Sequence, residues 1–345
     1  MQNPFTLTFG KEPASFISRD MQTGEIIEGF SGSNPEFQVC MITGVRGSGK
    51  TVLMTGIANE LRSDPNWIVV DLNPERDMLQ MLAAELSNRK ELMQLFKDAK
   101  INLSFLGFGL EIDGVPPITD TVVALDRMLD KLTYKGKKVL VTIDEAVASP
   151  NMRTFASQFQ IFMRRNYNVF LLMTGLYENI NNLQNEKTLT FLYRAPKVAL
   201  GPLNLTLIAA QYGKVFGLDD ASALAMARET KGYSFAYQAL GYLCFKRHVS
   251  YLQVIPEYDA YLEMYVYEKI WDGLSARDRD ACRGMSMTES TRVADIRQSA
   301  GMDSNTFAVY RDRLLKRGVA TSTEYGHLEF ALPRFREFVL RRYDF

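Results

Sequence analysis

The sequence has few of the residues that build disulfide and metal sites. Its three cysteines, Cys40, Cys244 and Cys282, are widely spaced and odd in number, and no two form a Cys-x-x-Cys pair. Neither a disulfide framework nor a cysteine-bound zinc site is therefore indicated. The two histidines, His248 and His327, lie far apart in the sequence, which disfavours a histidine-based metal site.

An excess of one charge and long apolar runs are also missing. The 345 residues include 40 basic and 40 acidic side chains, so the overall charge gives no reason to expect a polyanion-binding protein. A local basic surface remains compatible with a net charge of zero. No uninterrupted apolar stretch reaches the roughly 18 residues of a membrane span. Residues Met1 to Gly10 lack the basic and apolar regions of a secretory signal. We therefore expect a globular, cytoplasmic protein without a membrane partner.

The first 200 residues alternate between strand and helix patterns. Short apolar runs predict five strands, at Phe37–Thr43, Trp67–Leu72, Val139–Ile143, Val169–Met173 and Lys197–Leu200. Apolar residues at helical spacing predict helices over Val52–Leu61, Asp77–Leu86, Thr119–Leu132 and Phe155–Arg165. Residues 101–118 are rich in Gly and Pro and predict loops or a small hairpin. This alternation indicates an α/β fold with a mostly parallel sheet and helices on both faces.

The pattern changes after Gly201-Pro202 and again near Trp271. Residues 203–269 are helical, and breaks near Gly217 and Gly232 divide them into about three helices. Three short helices then precede two alternating segments, which is the pattern of a winged helix. These segments are Ser275–Met285, Thr291–Ser299, Asp303–Arg317, Val319–Thr323 and His327–Leu332. We predict an α/β domain over 1–200, a helical lid domain over 201–270 and a winged-helix domain over 271–345.

The turn after the first strand contains the most specific motif in the chain. GVRGSGKT matches G-x-x-x-x-G-K-[ST] in full and lies between a strand and a helix, as this phosphate-binding P-loop requires. Gly47 and Gly49 permit the backbone angles that turn successive N–H groups toward an anion. Lys50 is expected to reach the β- and γ-phosphates of ATP or ADP, and the Thr51 hydroxyl to bind Mg²⁺. The predicted nucleotide contacts are Gly44, Val45, Arg46, Gly47, Ser48, Gly49, Lys50, Thr51 and Val52.

A pair of carboxylates follows the apolar strand at Val139–Ile143. Two carboxylates at the end of a buried strand are costly without a cation. We expect Asp144 to hold Mg²⁺ and Glu145 to polarise the attacking water, so that the motif becomes an ATPase site. A strand that simply ends in polar residues is the alternative, and the complete P-loop motif argues against it.

Further polar residues are candidates for the same site. Thr174 ends the next strand and either contacts the γ-phosphate or caps the strand. Arg164, Arg165 and Arg194 could stabilise transition-state charge, although surface solvation is the ordinary role of such arginines. Among them we favour Arg194 as the catalytic arginine.

These motifs resemble the AAA+-type ATPases of bacteria and archaea that are related to origin-recognition ATPases and to STAND signalling ATPases. FGKEPASFISRD, from Phe9 to Asp20, is similar to the family's FG-x-x-P…GRD segment, with Ser18 in place of Gly. The resemblance implies that Arg19 lies near the adenine. It extends through the P-loop, VTIDEA, LLMTG, YRAPKVALGPL and the C-terminal YRDRLLKRGVA and LEFALPRFREFV.

The lid motif of the family, Gly-x-Pro, resembles the segment at Gly232 and Tyr233, where Ser234 replaces the proline. Origin-recognition relatives often have an arginine sensor in this lid, and none falls at the matching place here. The resemblance covers nearly the whole chain and implies an ATP-binding protein with slow turnover.

The C-terminal domain leaves the type of partner open. Residues 303–332 could contact double-stranded DNA, and Arg317 and the wing near Tyr325 could contact phosphate or the minor groove. The candidates for the groove-facing surface are Asn305, Thr306, Val309, Arg311, Asp312 and Arg313. From Trp271 to Phe345 there are 13 basic and 11 acidic residues, a modest basic excess for a DNA reader. The hypotheses are an ATP-driven switch with a DNA-binding winged helix, a STAND-like ATPase whose winged helix binds protein or a second copy, and a DNA-binding regulator with a vestigial nucleotide site.

Overall fold

The structure is a computed structural model that describes residues 2–8, 13–32, 34–104 and 112–343. Residues 9–12, which begin the segment that resembles the family's FG motif, lie outside the described residues. The same holds for 105–111, within the predicted loop segment. In the described part of the chain, no helix is both long enough and apolar enough to cross a membrane.

The chain forms two compact units. The sheet unit comprises Asp20–Thr43 and Thr51–Ala199, and the helical unit comprises Met1–Arg19, Gly44–Lys50 and Leu200–Phe345. Each unit has its own cluster of buried apolar side chains. The three-domain division predicted from the sequence stays a prediction.

The sheet unit contains five parallel strands in the order β2-β3-β4-β1-β5. The apolar runs of β1, β3 and β4 are buried along nearly their whole length, as is expected of parallel strands covered on both faces. The predicted α/β fold with a parallel sheet is confirmed. The strands are β1 (Val39–Thr43), β2 (Trp67–Leu72), β3 (Lys138–Ile143), β4 (Val169–Gly175) and β5 (Lys197–Ala199).

The strand register aligns the carboxyl ends of the central strands. Thr43 of β1 lies opposite Gly175 of β4, and Ile143 of β3 lies opposite Met173 of β4. Because the strands are parallel, the segments that follow them leave from the same edge of the sheet. Asp144, which follows β3, and Thr174 in β4 are therefore neighbours at this edge.

Helices connect the strands. The helix predicted from Phe155 begins earlier, at Pro150, because the Ser149 side chain accepts a hydrogen bond from the Met152 N–H and proline suits the first helical position. Helices α1, α4 and α7 were not predicted. The helices are α1 (Asp20–Ser31), α2 (Lys50–Ser63), α3 (Met78–Ser87), α4 (Lys90–Asp98), α5 (Thr121–Tyr134), α6 (Pro150–Arg164) and α7 (Tyr177–Gln184).

The helical unit contains more helices in residues 203–269 than predicted. A further break falls at His248, which ends a helix in the left-handed conformation with φ of 57°. After α11 the chain continues without a break through a π-helical turn, Glu263–Tyr267. The helices are α8 (Leu205–Phe216), α9 (Asp220–Arg228), α10 (Ser234–Arg247), α11 (Tyr251–Leu262) and α12 (Glu268–Asp272).

The described residues 275–343, the C-terminal module, contain three helices followed by a hairpin and a last helix. Ser275 caps the first of these helices and forms a capping box with Asp278. The hairpin is shorter than predicted, and an isolated bridge joins Arg292 to His327. The elements are α13 (Ala276–Met287), α14 (Val293–Ser299), α15 (Ser304–Lys316), β6 (Ala320–Thr321), β7 (Glu329–Phe330) and α16 (Phe335–Arg341), the last of which was not predicted.

Candidate nucleotide-binding site

The loop between β1 and α2 needs glycine at several positions. Gly47 and Gly49 have φ values of 77° and 92°, where other residues are strained. A Cβ on Gly44 would lie 2.6 Å from Ser48 Oγ. That oxygen is buried and has no hydrogen-bond partner among the described residues, so a buried hydroxyl of the loop is left to be satisfied.

Lys50 ends the loop and begins α2. Its Nζ donates to the carbonyls of Gly44, at 3.2 Å, and Val45, at 3.1 Å, which places the ammonium against the first two peptides of the loop. The side chain of Val45 packs against the apolar cluster of the helical unit, whereas Arg46 is exposed. Val52 lies half-buried in the first turn of α2.

Arg19 contacts the loop directly. Its Nη2 donates to the carbonyl of Ser48 at 3.3 Å and to that of Gly201 at 2.9 Å. Burial lowers the pKa of this guanidinium without removing its charge at neutral pH. The structure thus places Arg19 on the peptide of Ser48, and its contact with adenine stays a prediction.

The first turn of α10 also contacts the loop, which the sequence interpretation missed. Tyr233 donates its hydroxyl to the Arg46 carbonyl, and the added Cβ of a residue at Gly47 would lie 2.3 Å from the same hydroxyl oxygen. Ser234 Oγ donates to the Ser48 carbonyl at 2.9 Å. The resemblance at Gly232 pointed to this segment as a lid, but nothing in the sequence indicated that it bonds to the loop.

In the sheet unit, Asp144 accepts hydrogen bonds on both carboxylate oxygens. Thr51 Oγ1 donates to Oδ2 at 2.9 Å. Oδ1 accepts the hydroxyl of Thr174 and, at 3.1 Å, the N–H of Glu145. The predicted metal residues Thr51 and Asp144 are therefore within hydrogen-bond distance of each other.

Glu145 has an unusual backbone conformation. Its φ is 52°, which costs a non-glycine residue about 1 kcal/mol or more, and its side chain is exposed. Its N–H also donates to Thr174 Oγ1, at 3.2 Å, and the next residue, Ala146, donates its N–H to the Thr174 carbonyl at 2.8 Å. The fully buried Thr174 thus holds the turn that carries both carboxylates.

The arginine candidates lie apart from these bonds. Arg194 ends a 3-10 turn, Thr190–Arg194, and is exposed, and its side chain has no ion pair or hydrogen bond to the residues that the structure describes. Arg165 pairs with Asp126. The role of Arg194 stays a prediction.

A further carboxylate, Asp71, was missed by the sequence interpretation. It accepts the hydroxyl of Thr142 and pairs with Arg62 at 2.5 Å. A cavity of about 180 Å³ in the sheet unit is lined by both Asp71 and Asp144. The only signal in the sequence was a single acid in the apolar run of β2.

The residues fit a Mg²⁺-nucleotide better than a protein-only metal site. In the described parts of the chain no group of three or more His, Cys, Asp or Glu could hold a metal ion. Mg²⁺ is commonly held by one or two protein oxygens together with substrate phosphates. The Thr51–Asp144 pair, directly after Lys50, supplies such a set.

In the C-terminal module, Arg313, expected toward the groove, and Arg317, expected on phosphate, both lie beside one buried carboxylate, and their roles toward DNA stay predictions. Asp278 is fully buried, and its Oδ2 pairs with Arg313 at 2.9 Å and lies 3.7 Å from Arg317. Arg317 also donates to the Gly273 carbonyl at 2.9 Å. Both arginines are drawn inward because a buried carboxylate requires cationic partners.

The other groove-facing candidates of α15 include the half-buried Arg311 and the exposed Asp312. Lys316 pairs with Asp312 at 2.7 Å, and Val309 is 57% exposed. Phe307 and Leu314 are buried, and Tyr310 is half-buried. The turn of the hairpin presents the fully exposed Tyr325.

Comparisons with known proteins support the fold. A family with the description "Domain of unknown function (DUF8462)" matches residues 264–339. No curated protein matches the chain. The Walker-type ATPase PABY2304 of Pyrococcus abyssi is similar in structure, with a TM-score of 0.66 at 16% identity, covering 98% of this chain and 99% of that one. The ORC2 protein of Aeropyrum pernix, in ADPNP and ADP complexes, has a TM-score of 0.59 at 13% identity, covering 97% of this chain and 96% of that one.

These likenesses establish a shared P-loop ATPase fold over nearly the full chain. The resemblance to the origin-recognition ATPases predicted from the sequence is confirmed at the level of the fold.

Proposed function

We propose that the chain binds ATP with Mg²⁺ and hydrolyses it slowly as a molecular switch. The observation that carries this proposal is the hydrogen bond from Thr51 to Asp144, at the residue that directly follows Lys50 and the glycine loop. A hydroxyl and a carboxylate beside a phosphate-binding lysine are the protein ligands that a Mg²⁺-nucleotide needs. The ATPase fold shared with the structural relatives supports the same reading.

Each residue of the site would have its own role in ATP hydrolysis. Lys50 and the N–H groups of the loop would neutralise the phosphates, while Thr51 and Asp144 would hold Mg²⁺, which offsets the charge on the transferred phosphoryl group. Glu145 would polarise the attacking water, and its exposed carboxylate is accessible for that role. Thr174 would orient the Asp144 carboxylate through its hydroxyl, which also accepts the backbone N–H of Glu145. Arg194 remains the candidate for a catalytic arginine.

A route for the switch exists inside the helical unit. The loop carbonyls of Arg46 and Ser48 bond to the first turn of α10, in the predicted lid. A Cβ on Gly318, just after α15, would lie 3.5 Å from Val45 Cβ, so the C-terminal module also adjoins the loop. A phosphate-dependent change in the loop therefore has physical contacts through which to shift both elements.

For the C-terminal module we propose a protein partner rather than double-stranded DNA. A DNA-reading helix presents arginines or lysines toward the groove and the phosphates. On α15, Arg313 is paired with Asp278 and Lys316 with Asp312, while Arg317 also turns toward Asp278. The winged-helix identity of this module, its partner and the cytoplasmic location remain proposals.

Steady-state ATP hydrolysis tests the proposal, with the wild type compared with Glu145→Gln and Lys50→Ala. We expect Glu145→Gln to bind ATP and lose hydrolysis by about 100-fold or more, and Lys50→Ala to lose binding. ATP affinity that survives Lys50→Ala unchanged would refute the nucleotide site. The same assay with duplex DNA added distinguishes a DNA partner from a protein partner. Stimulation of Glu145-dependent ATP hydrolysis by the duplex would favour DNA as the partner of the C-terminal module.

A further inference from the structure

Three successive carbonyls of the glycine loop face the same helix. The Arg46 carbonyl accepts the Tyr233 hydroxyl, the Gly47 carbonyl accepts the Phe235 N–H at 3.1 Å, and the Ser48 carbonyl accepts Ser234 Oγ at 2.9 Å. All of these residues belong to the helical unit. The loop is thus attached to the first turn of α10 through its backbone.

These bonds fix where the N–H groups of the loop point. In a trans peptide the N–H lies opposite the C=O, and the described residues contain no cis peptide bond. When the carbonyls of Arg46 and Ser48 face α10, the N–H groups of Gly47 and Gly49 face away from it. That is the orientation by which consecutive N–H groups form an anion-binding concavity. The third amide, of Ser48, already donates to the Val45 carbonyl at 3.2 Å.

We propose that Tyr233 and Ser234 are positioning residues that hold the glycine loop ready for phosphate before any nucleotide binds. The inference rests on the proposed nucleotide-binding function and adds two residues to it. Neither side chain needs to touch the nucleotide, because each acts through a loop carbonyl.

The two side-chain hydrogen bonds to the loop differ in how easily another donor can replace them. Tyr233 is 5% exposed, so its hydroxyl has few alternatives to the Arg46 carbonyl. Arg19 supplies a second donor to the Ser48 carbonyl, at 3.3 Å, and we therefore expect Ser234 to matter less than Tyr233. Losing one such hydrogen bond corresponds to roughly a 2–10-fold change in an equilibrium constant.

The first test measures ATP and pyrophosphate affinity in Tyr233→Phe and Ser234→Ala. We expect both ligands to bind about 2–10-fold more weakly, and Ser234→Thr, which keeps the hydroxyl, to restore binding. Tyr212→Phe is the matched control, because Tyr212 donates its buried hydroxyl to the Tyr237 carbonyl at 2.7 Å, away from the loop. The control should lose a comparable amount of stability and keep wild-type affinity.

The second test follows amide hydrogen exchange of residues 44–51 without nucleotide. Faster exchange is expected in Tyr233→Phe and Ser234→Ala, and unchanged exchange in Tyr212→Phe, since only the first two bond the loop. Wild-type affinity together with wild-type exchange in both variants would overturn the inference alone. A wild type that binds neither ATP nor pyrophosphate would overturn the proposed function, and with it the inference.

Discussion

Removing the Asp278 carboxylate should destabilise the C-terminal module strongly. Oδ2 accepts the N–H of Ser275 at 2.9 Å and its hydroxyl at 2.7 Å, besides pairing with the arginines of α15. Removing one partner of a buried ion pair costs about 3–5 kcal/mol. Arg317 is 13% exposed and would lose its partner in a buried place, whereas the Arg313 side chain is 37% exposed and can regain water. Because Arg313 forms the shorter pair, we expect Asp278→Ala to lower the free energy of unfolding by about 3 kcal/mol, near the lower end of that range.

Urea unfolding followed by the fluorescence of Trp271 measures this cost. Trp271 is 6% exposed and packs on Phe338 of the module, and a Trp67→Phe background removes the other tryptophan. Asp280→Ala is the control on the same helix, because its pair with Arg277 is solvent-exposed, at 3.6 Å, and worth less than about 1 kcal/mol. A cost for Asp278→Ala as small as that of the control would refute the reasoning.

The conservative variant Asp278→Asn tests the partner proposal with the same residue. It keeps an acceptor for Ser275 but removes the charge that draws Arg313 and Arg317 inward. We expect duplex DNA to bind more tightly to this variant than to wild type, with a salt slope steeper by about one unit for each phosphate gained. Equal DNA affinity in both proteins would show that the inward arginines do not limit DNA binding.

Three further predictions follow from the site and the core. Thr174→Val should lower ATP turnover by about 10-fold or more with little change in ATP affinity, measured in steady state, whereas Thr174→Ser should behave as wild type. Gly47→Ala should abolish nucleotide binding by titration, because its Cβ would meet the Tyr233 hydroxyl at 2.3 Å and φ is 77°; binding near wild type would contradict this. Burial raises the pKa of Cys40 and of Cys244 to about 12, so the native thiols should resist alkylation at pH 8.5. The free energy of unfolding should fall as pH rises from about 9 toward 12, because in that range these thiols ionise only in the unfolded chain.

The glycine loop and the carboxylate pair were predictable because their signals are local in the sequence. Lys50 and Thr51 follow the glycines directly, and Asp144 follows a short run of apolar residues that predicts a buried strand. The parallel sheet followed from the same alternation of patterns. Such features need no knowledge of which distant segments meet.

What the sequence could not reveal depends on contacts between distant residues. Tyr233 lies 187 positions from Arg46, and no spacing rule links them. Arg313 was expected to face a partner, since its helical position allows that, but the buried Asp278 draws it inward. Helix α16 was missed because it has only seven residues and follows Arg334, a non-glycine N-cap residue with φ of 59°.

The division of the chain into two interleaved units has a consequence for how the protein is made. The backbone passes between the units at Arg19, Thr43, Lys50 and Ala199. During translation, residues 1–19 and the glycine loop emerge long before the segments beyond Leu200 with which they form the helical unit. The sheet unit can form its parallel strands earlier, at a stage when α10 has not been synthesised and cannot bond to the glycine loop. A ribosome stalled near residue 200 should therefore display a loop that proteases cut readily, and release of the complete chain should protect it.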